Sequence, residues 1–311
     1  MVEVGQWEVR GHLDTVAPRP AAAGAHTGKH RTVLACTSSS TRRRRRIARP
    51  PQGGRFPDVE IDLTAEVGHG LGEPATQADA VLWPLLSTAL VPCGVHSGDP
   101  SSILRACSLA VTREAALGAA VGYADRVGAG ERFVDYDPED LAATIIYQLG
   151  ALDGLALAEQ ARVTCVRAGG ALFDAVRTDR NHAWALVNAV LDYDPTLTII
   201  GLPDSRLLQT AERNGLSIAR EFQPHRLLNA NGSLGAVVTE PEAVARRALD
   251  AVASGGYDTI RLPWHTSAER ACAKAVHTAL VEAGHTITTP QAPAQPELPV
   301  HLAVAGRMSS A

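Results

Sequence analysis

The stretch "RNHAWALVNAVLDYDPTLTIIGLPDSRLLQTAERNGLSIAREF", residues 180–222, decides the fold class. Residues 180–193 carry the apolar spacing of a helix, and "LTIIGL" (197–202) is a short apolar run suited to a buried strand. "SRLLQTAERNG" (205–215) is a second helix stopped by Asn214 and Gly215, and "SIAREF" (217–222) is a second strand. Helix, strand, helix, strand within 43 residues is the rhythm of a parallel sheet with crossover helices.

The rhythm continues outward. Upstream, "VEIDL" (59–63) alternates like a strand, and "RVTCV" (162–166) reads as another. Residues 99–118 and 137–160 read as helices, each opened by Asp-Pro, with Gly118 as the stop of the first. Downstream, 241–256 is a helix, "YDTIRL" (257–262) a strand and 267–284 a helix. About 230 residues of such text predict an α/β domain, either closed as a barrel or open and doubly wound. In both, chemistry gathers where strands end and loops begin.

Composition sets the class. The chain is 45% apolar and 20% charged, as expected of a soluble globular protein. No stretch reaches the roughly 18 uninterrupted apolar residues of a membrane helix, so no membrane partner is expected. "MVEVGQWEVR" lacks the apolar segment of a secretory signal. Cys36, Cys93, Cys107, Cys165 and Cys272 are odd in number and form no CxxC pair, which predicts reduced thiols and a cytoplasmic location.

The net charge of −4 hides a split. Residues 1–56 hold eleven Lys/Arg against three Asp/Glu, with "RRRRR" at 42–46. They read as a basic, disordered leader and linker, and residues 291–311 as a flexible tail. The acidic remainder is no nucleic-acid binder. "GHLDTVAP" (11–18) looks like a metal box of amidohydrolase-like peptidases, but the further boxes do not follow.

Five strand-end loops carry polar text. They hold Asp62, Glu66 and His69; His96 and Asp99; Tyr123, Asp125, Glu131 and Arg132; Arg167; and Glu221, His225 and Arg226. Asp99 reads first as a helix cap. Asp62, Glu66 and His96 together are of the type that holds a divalent metal or shares proton transfer. Their spacing contains no HxxxH.

In order along the chain, these blocks resemble the LamB/YcsF family, whose members include the A subunit of ATP-dependent 5-oxoprolinase. A family strand end like "DLNCDLGE" corresponds to "DLTAEVGH" (62–69), and "SANIACGFHAGDP" to "TALVPCGVHSGDP" (88–100). "GAHPGYPDLVGFGRR" corresponds to "GAAVGYADRVGAGER" (118–132), "HVKPHGALYN" to "CVRAGGALFD" (165–174), and "EVFADRAYNPDGTL" to "EFQPHRLLNANGSL" (221–234); "YQLGAL" (147–152) matches directly. The resemblance spans roughly residues 58–287. It departs from the family at Thr64, Leu90, Ala120, Cys165, Arg167, Gly169 and His225.

The resemblance implies a single-domain, seven-stranded, irregular (β/α) barrel of the polysaccharide-deacetylase-like type over residues 57–290. It implies opening of the lactam of 5-oxo-L-proline to glutamate, coupled to ATP, with subunits B and C as partners. Asp62, His96 and Asp125 would be catalytic, and Tyr123, Arg132, Arg167 and Arg226 would bind substrate. Asp62, Glu66 and His96 would be the ligands of any metal. Since no GxxxxGK[ST] loop is present, nucleotide binding falls to the partners or to an unmarked pocket. The alternative is a catalytically degenerate member that binds a small acid or serves as a scaffold.

Overall fold

The computed structural model describes residues 59–70, 79–229 and 233–289. The basic leader, the arginine run, the 11–18 box and the 291–311 tail lie outside the described residues.

Seven parallel strands close into a barrel in the order β1 (Glu60–Glu66), β2 (Thr88–Pro92), β3 (Ala116–Val121), β4 (Val163–Ala168), β5 (Thr198–Gly201), β6 (Ile218–Phe222) and β9 (Thr259–Arg261). Closure comes from β9, which pairs with both β6 and β1, Asp62 lying opposite Thr259 and Thr64 opposite Arg261. A short β10 (Thr286–Ile287) lies beside the start of β1. Between β6 and β9 an antiparallel hairpin, β7 (Arg226–Leu228) and β8 (Leu234–Val237), departs from the barrel.

The helices are α1 (Pro100–Thr112), α2 (Pro138–Ala158), α3 (Gly170–Thr178), α4 (Arg180–Tyr193), α5 (Arg206–Arg213), α6 (Pro241–Ser254) and α7 (Ser267–Glu282). Their starts follow local chemistry. Asp99 accepts from the backbone N–H of Ser101 and Ser102 and shares a capping box with Ser102. Thr266 and Glu269 do the same for α7, and Asp179 and Ser205 cap α4 and α5. Helix α2 is long and apolar enough to cross a membrane by composition. Here its apolar face, with Leu141, Ile145, Leu149 and Leu152, is buried in the core.

Alternation along β1 sorts the interior. Ile61, Leu63 and Ala65 join the core between sheet and helices, while Asp62, Thr64 and Glu66 take the other face, toward the barrel axis. Leu90, Ala120, Cys165, Ile200 and Ala219 form a separate small cluster on that inner face. The barrel is therefore apolar at mid-height and charged toward its C-terminal mouth.

The helix expected over 99–118 ends at Thr112; Glu114 turns the chain through φ 55°, and residues 116–121 are β3. Gly118 is thus a strand residue and no helix stop. A Cβ there would lie 2.6 Å from Cys165 Sγ and 2.7 Å from Leu90 Cδ2, so glycine lets those side chains fill the barrel.

Candidate functional site

At the mouth, four charges from four strands interlock. Arg167, at the end of β4, donates from Nε to Glu221 Oε2 at 2.5 Å and from Nη2 to Glu221 Oε1 at 3.0 Å. Its Nη1 reaches Glu66 Oε1 at 3.2 Å, and Arg261 Nη2, from β9, reaches the same oxygen at 2.6 Å. Gln223 donates to Glu221 at 2.7 Å, and the His69 ring meets Glu66 Oε2 at 2.5 Å. The Arg167 guanidinium also covers the Phe173 ring at 4.2 Å.

The electrostatics follow from burial and pairing. Burial alone would raise the Glu66 carboxyl, but the charges of Arg261, His69 and Arg167 reverse this and hold it well below the usual range. Burial opposes ionisation of Glu221 too, and Arg167 overrides it. Both carboxylates are ionised at neutral pH, and both guanidinium groups stay charged.

Above this network opens a cavity of about 170 Å³. Glu66, Arg167, Arg261, Gln223, His225 and Arg226 form one part of its wall, and Glu131, Asp174, Trp264 and His265 another. Two guanidinium nitrogens here, Arg226 Nε and Arg261 Nη1, are buried without a hydrogen-bond partner among the described residues. His225, beside both arginines, is pushed down to about 3 by burial and by their charge, so its ring is neutral. Burial, then the charge of Glu66, raises Glu131 above the usual carboxylate value. Trp264 stacks between His69 (4.5 Å) and His265 (3.7 Å).

The structure brings Glu66, Arg167 and Arg226 to this cavity, but it sends Asp62, His96, Tyr123, Asp125 and Arg132 elsewhere. Asp62 lies on the same face of β1 as Glu66 but four residues, roughly 13 Å, lower. Its Oδ1 accepts from Ser87 and Thr88 at 2.7 Å each, and burial raises its carboxyl to about 6. Tyr123 has the outward parity of β3 and is fully buried among Phe133, Tyr136 and His182, so it cannot meet a substrate. Asp125 and Arg132 clamp each other, and Gly128 N–H donates to Asp125 at 2.9 Å. The Arg132 bonds hold Asp125 down at about 2, which suits a loop brace and not a proton carrier.

His96 is buried but lies outside the cavity wall. Its ring is wedged under the rim: a Cβ on Gly122 would lie 2.8 Å from Nδ1, and one on Gly130 3.1 Å from His96 Cβ. Burial lowers its pKa, so it is neutral, and Nδ1 has no partner among the described residues.

Asp62, Glu66 and His96 do not form a metal site. Among the described residues no group of three His, Cys, Asp or Glu is placed to hold a metal ion. Asp62 is a strand-length away, and the oxygens of Glu66 are taken by two arginines and His69. A divalent ion there would face two guanidinium charges.

Sequence reading missed Arg261, Trp264 and His265. The signal was present in "TIRLPWH" (259–265), where an arginine interrupts an apolar strand and Pro-Trp-His follows at its C-terminal end. A charge placed between Ile260 and Leu262 must face opposite to them, into the barrel.

The LamB/YcsF family pattern matches residues 61–292. The A subunit of 5-oxoprolinase from Streptomyces avermitilis is 40% identical over 204 residues, covering 64% of this chain and 82% of that protein. Its counterpart in Mycobacterium ulcerans is 39% identical over 201 residues, covering 63% and 80%. The crystal structure of a lactam utilization protein from Thermus thermophilus is similar with a TM-score of 0.68 at 33% identity, covering 74% of this chain and 99% of that one.

Proposed function

This chain belongs to the LamB/YcsF family, and from that premise we propose that its barrel mouth binds 5-oxo-L-proline as the A subunit of a multi-subunit 5-oxoprolinase. The observation that carries the reading is the pair of unpaired guanidinium nitrogens, Arg226 Nε and Arg261 Nη1, on one small cavity. A guanidinium N–H that has lost water and gained no partner favours an anionic acceptor. The carboxylate of 5-oxoproline supplies one, and the five-membered lactam suits a volume of about 170 Å³. Pockets that enclose larger ligands run to roughly 300–1,000 Å³. A nucleotide does not fit this cavity, so ATP coupling falls to subunits B and C.

In the overall reaction the lactam C–N bond breaks, water contributes OH to the carbonyl carbon, and a proton goes to the nitrogen. Arg226 and Arg261 hold the carboxylate. Glu131, made a weaker acid by burial and Glu66, is the group on the wall suited to deliver the proton. Neutral His225 offers a hydrogen bond without competing for the anion. Arg167 is fully engaged by Glu221 and Glu66, so it shapes the site from below.

Two measurements test this. Calorimetry of the full chain with 5-oxoproline should show binding that weakens in Arg226→Ala. Mixed with ATP and the partner subunits, the chain should release glutamate. Absence of binding at millimolar 5-oxoproline would overturn the proposal. Binding without glutamate would leave a small-acid-binding member, a reading favoured by the placement of His96 outside the cavity wall.

A further inference from the structure

A second cavity of about 250 Å³ lies against the first. Its walls are mainly apolar: Leu202, Pro203, Phe222, Leu228, Leu234 and Tyr257. Asp204 and Glu221 also reach it, but Glu221 is already held by Arg167. The Phe222 and Tyr257 rings lean together at 4.7 Å and make an aromatic wall. Gln223 and Leu234 line both cavities, so the two adjoin at the end of β6 and the β7–β8 hairpin.

The same hairpin presents Arg226 to the charged cavity and Leu228 to the apolar one. Leu228 is 52% exposed, and its neighbour Leu227 is also exposed. Apolar surface left open beside a ready-made apolar cavity is surface that a ligand would cover. A dry cavity of about 150 Å³ already accommodates benzene, so this one takes a ring-sized group.

We propose that the ligand site is bipartite: the charged cavity takes a carboxylated cyclic amide, and the adjoining apolar cavity takes a ring-sized apolar substituent on it. The substrate class of this chain is then a substituted lactam acid, with 5-oxoproline as its smallest member. The inference rests on the proposed function, because the polar anchor is the carboxylate held by Arg226 and Arg261.

The test uses the full chain and four ligands: 5-oxoproline and its derivatives benzylated at the ring nitrogen, C3 or C4. At roughly fourfold per buried methylene, at least one derivative should bind tenfold or more tighter than 5-oxoproline. In Leu228→Asp, which places a charge at the apolar mouth of an exposed hairpin, the ratio of the two affinities should fall toward one. If 5-oxoproline binds and no benzyl derivative binds tighter, the inference is overturned and the proposed function stands. A gain that survives intact in Leu228→Asp also overturns it. If none of the four ligands binds, the proposed function falls and takes this inference with it.

Discussion

Replacing Asp62 with asparagine should stabilise the protein at neutral pH. The side chain is fully buried, and its Oδ2 has no hydrogen-bond partner among the described residues. Burial raises its pKa from 3.8 to about 6 even though Ser87 and Thr88 donate to it. The folded state therefore holds this proton more tightly than the unfolded chain does. The group supports folding fully below about pH 4, loses that support as pH rises toward 6, and is unfavourable at a constant level above. The shift of about two units corresponds to roughly 3 kcal/mol at 1.36 kcal/mol per unit. Asparagine accepts the same two hydroxyl bonds without a charge. Its amide N–H has Thr64 nearby on the inner face, whose hydroxyl is without a partner among the described residues. Denaturant melts of both proteins from pH 3.5 to 8 give the test. The variant should gain up to about 3 kcal/mol at pH 7, and the gain should vanish below pH 4. Affinity for 5-oxoproline should not change, since the cavity lies above. A variant less stable at pH 7, or a difference independent of pH, would refute the reasoning.

Arg226→Ala should weaken 5-oxoproline binding by roughly ten- to a hundredfold, the usual worth of a hydrogen bond to a charged group, read by calorimetry. Glu221→Gln leaves the buried Arg167 with Glu66 as its one carboxylate partner and should destabilise the fold by about 3–5 kcal/mol, read from urea midpoints. Gly122→Ala drives a methyl against the His96 ring and should destabilise by about 1–3 kcal/mol. In a double-mutant cycle with His96→Ala most of that loss should disappear, because the clashing ring is gone. If the Gly122→Ala loss is the same in both backgrounds, His96 is not what the glycine accommodates.

The order of elements was legible because local chemistry punctuates it. Asp99 and Asp137 cap helices in the structure as the Asp-Pro openings in the sequence suggest. The misreading at Gly118 has a physical cause: "ALGAAVG" is rich in small residues that suit a helix tail, and only the packing of Cys165 and Leu90 across the barrel requires them in a strand. The β7–β8 hairpin was invisible because two strands of three and four residues carry no period. Family resemblance gathered the right loops, but side-chain direction depends on strand parity. Parity places Tyr123 with Leu117, Ala119 and Val121, outward into the core, where resemblance alone had put it at a substrate.

The same parity explains why the mouth is built from paired charges. A closed seven-stranded barrel forces one residue in two from every strand toward a common axis. At mid-height that face is met by Leu90, Ala120, Cys165, Ile200 and Ala219, which fill it. One level higher the same faces carry Glu66, Arg167, Glu221 and Arg261. Isolated there, each would be an uncompensated buried charge; together they neutralise in a chain of alternating sign, Arg261, Glu66, Arg167 and Glu221. Arginine at 167, where the family pattern has lysine, fits this arrangement because its planar fork engages both oxygens of Glu221. Two nitrogens are left over, one on Arg261 and one on Arg226, and in the proposed function they take the substrate carboxylate.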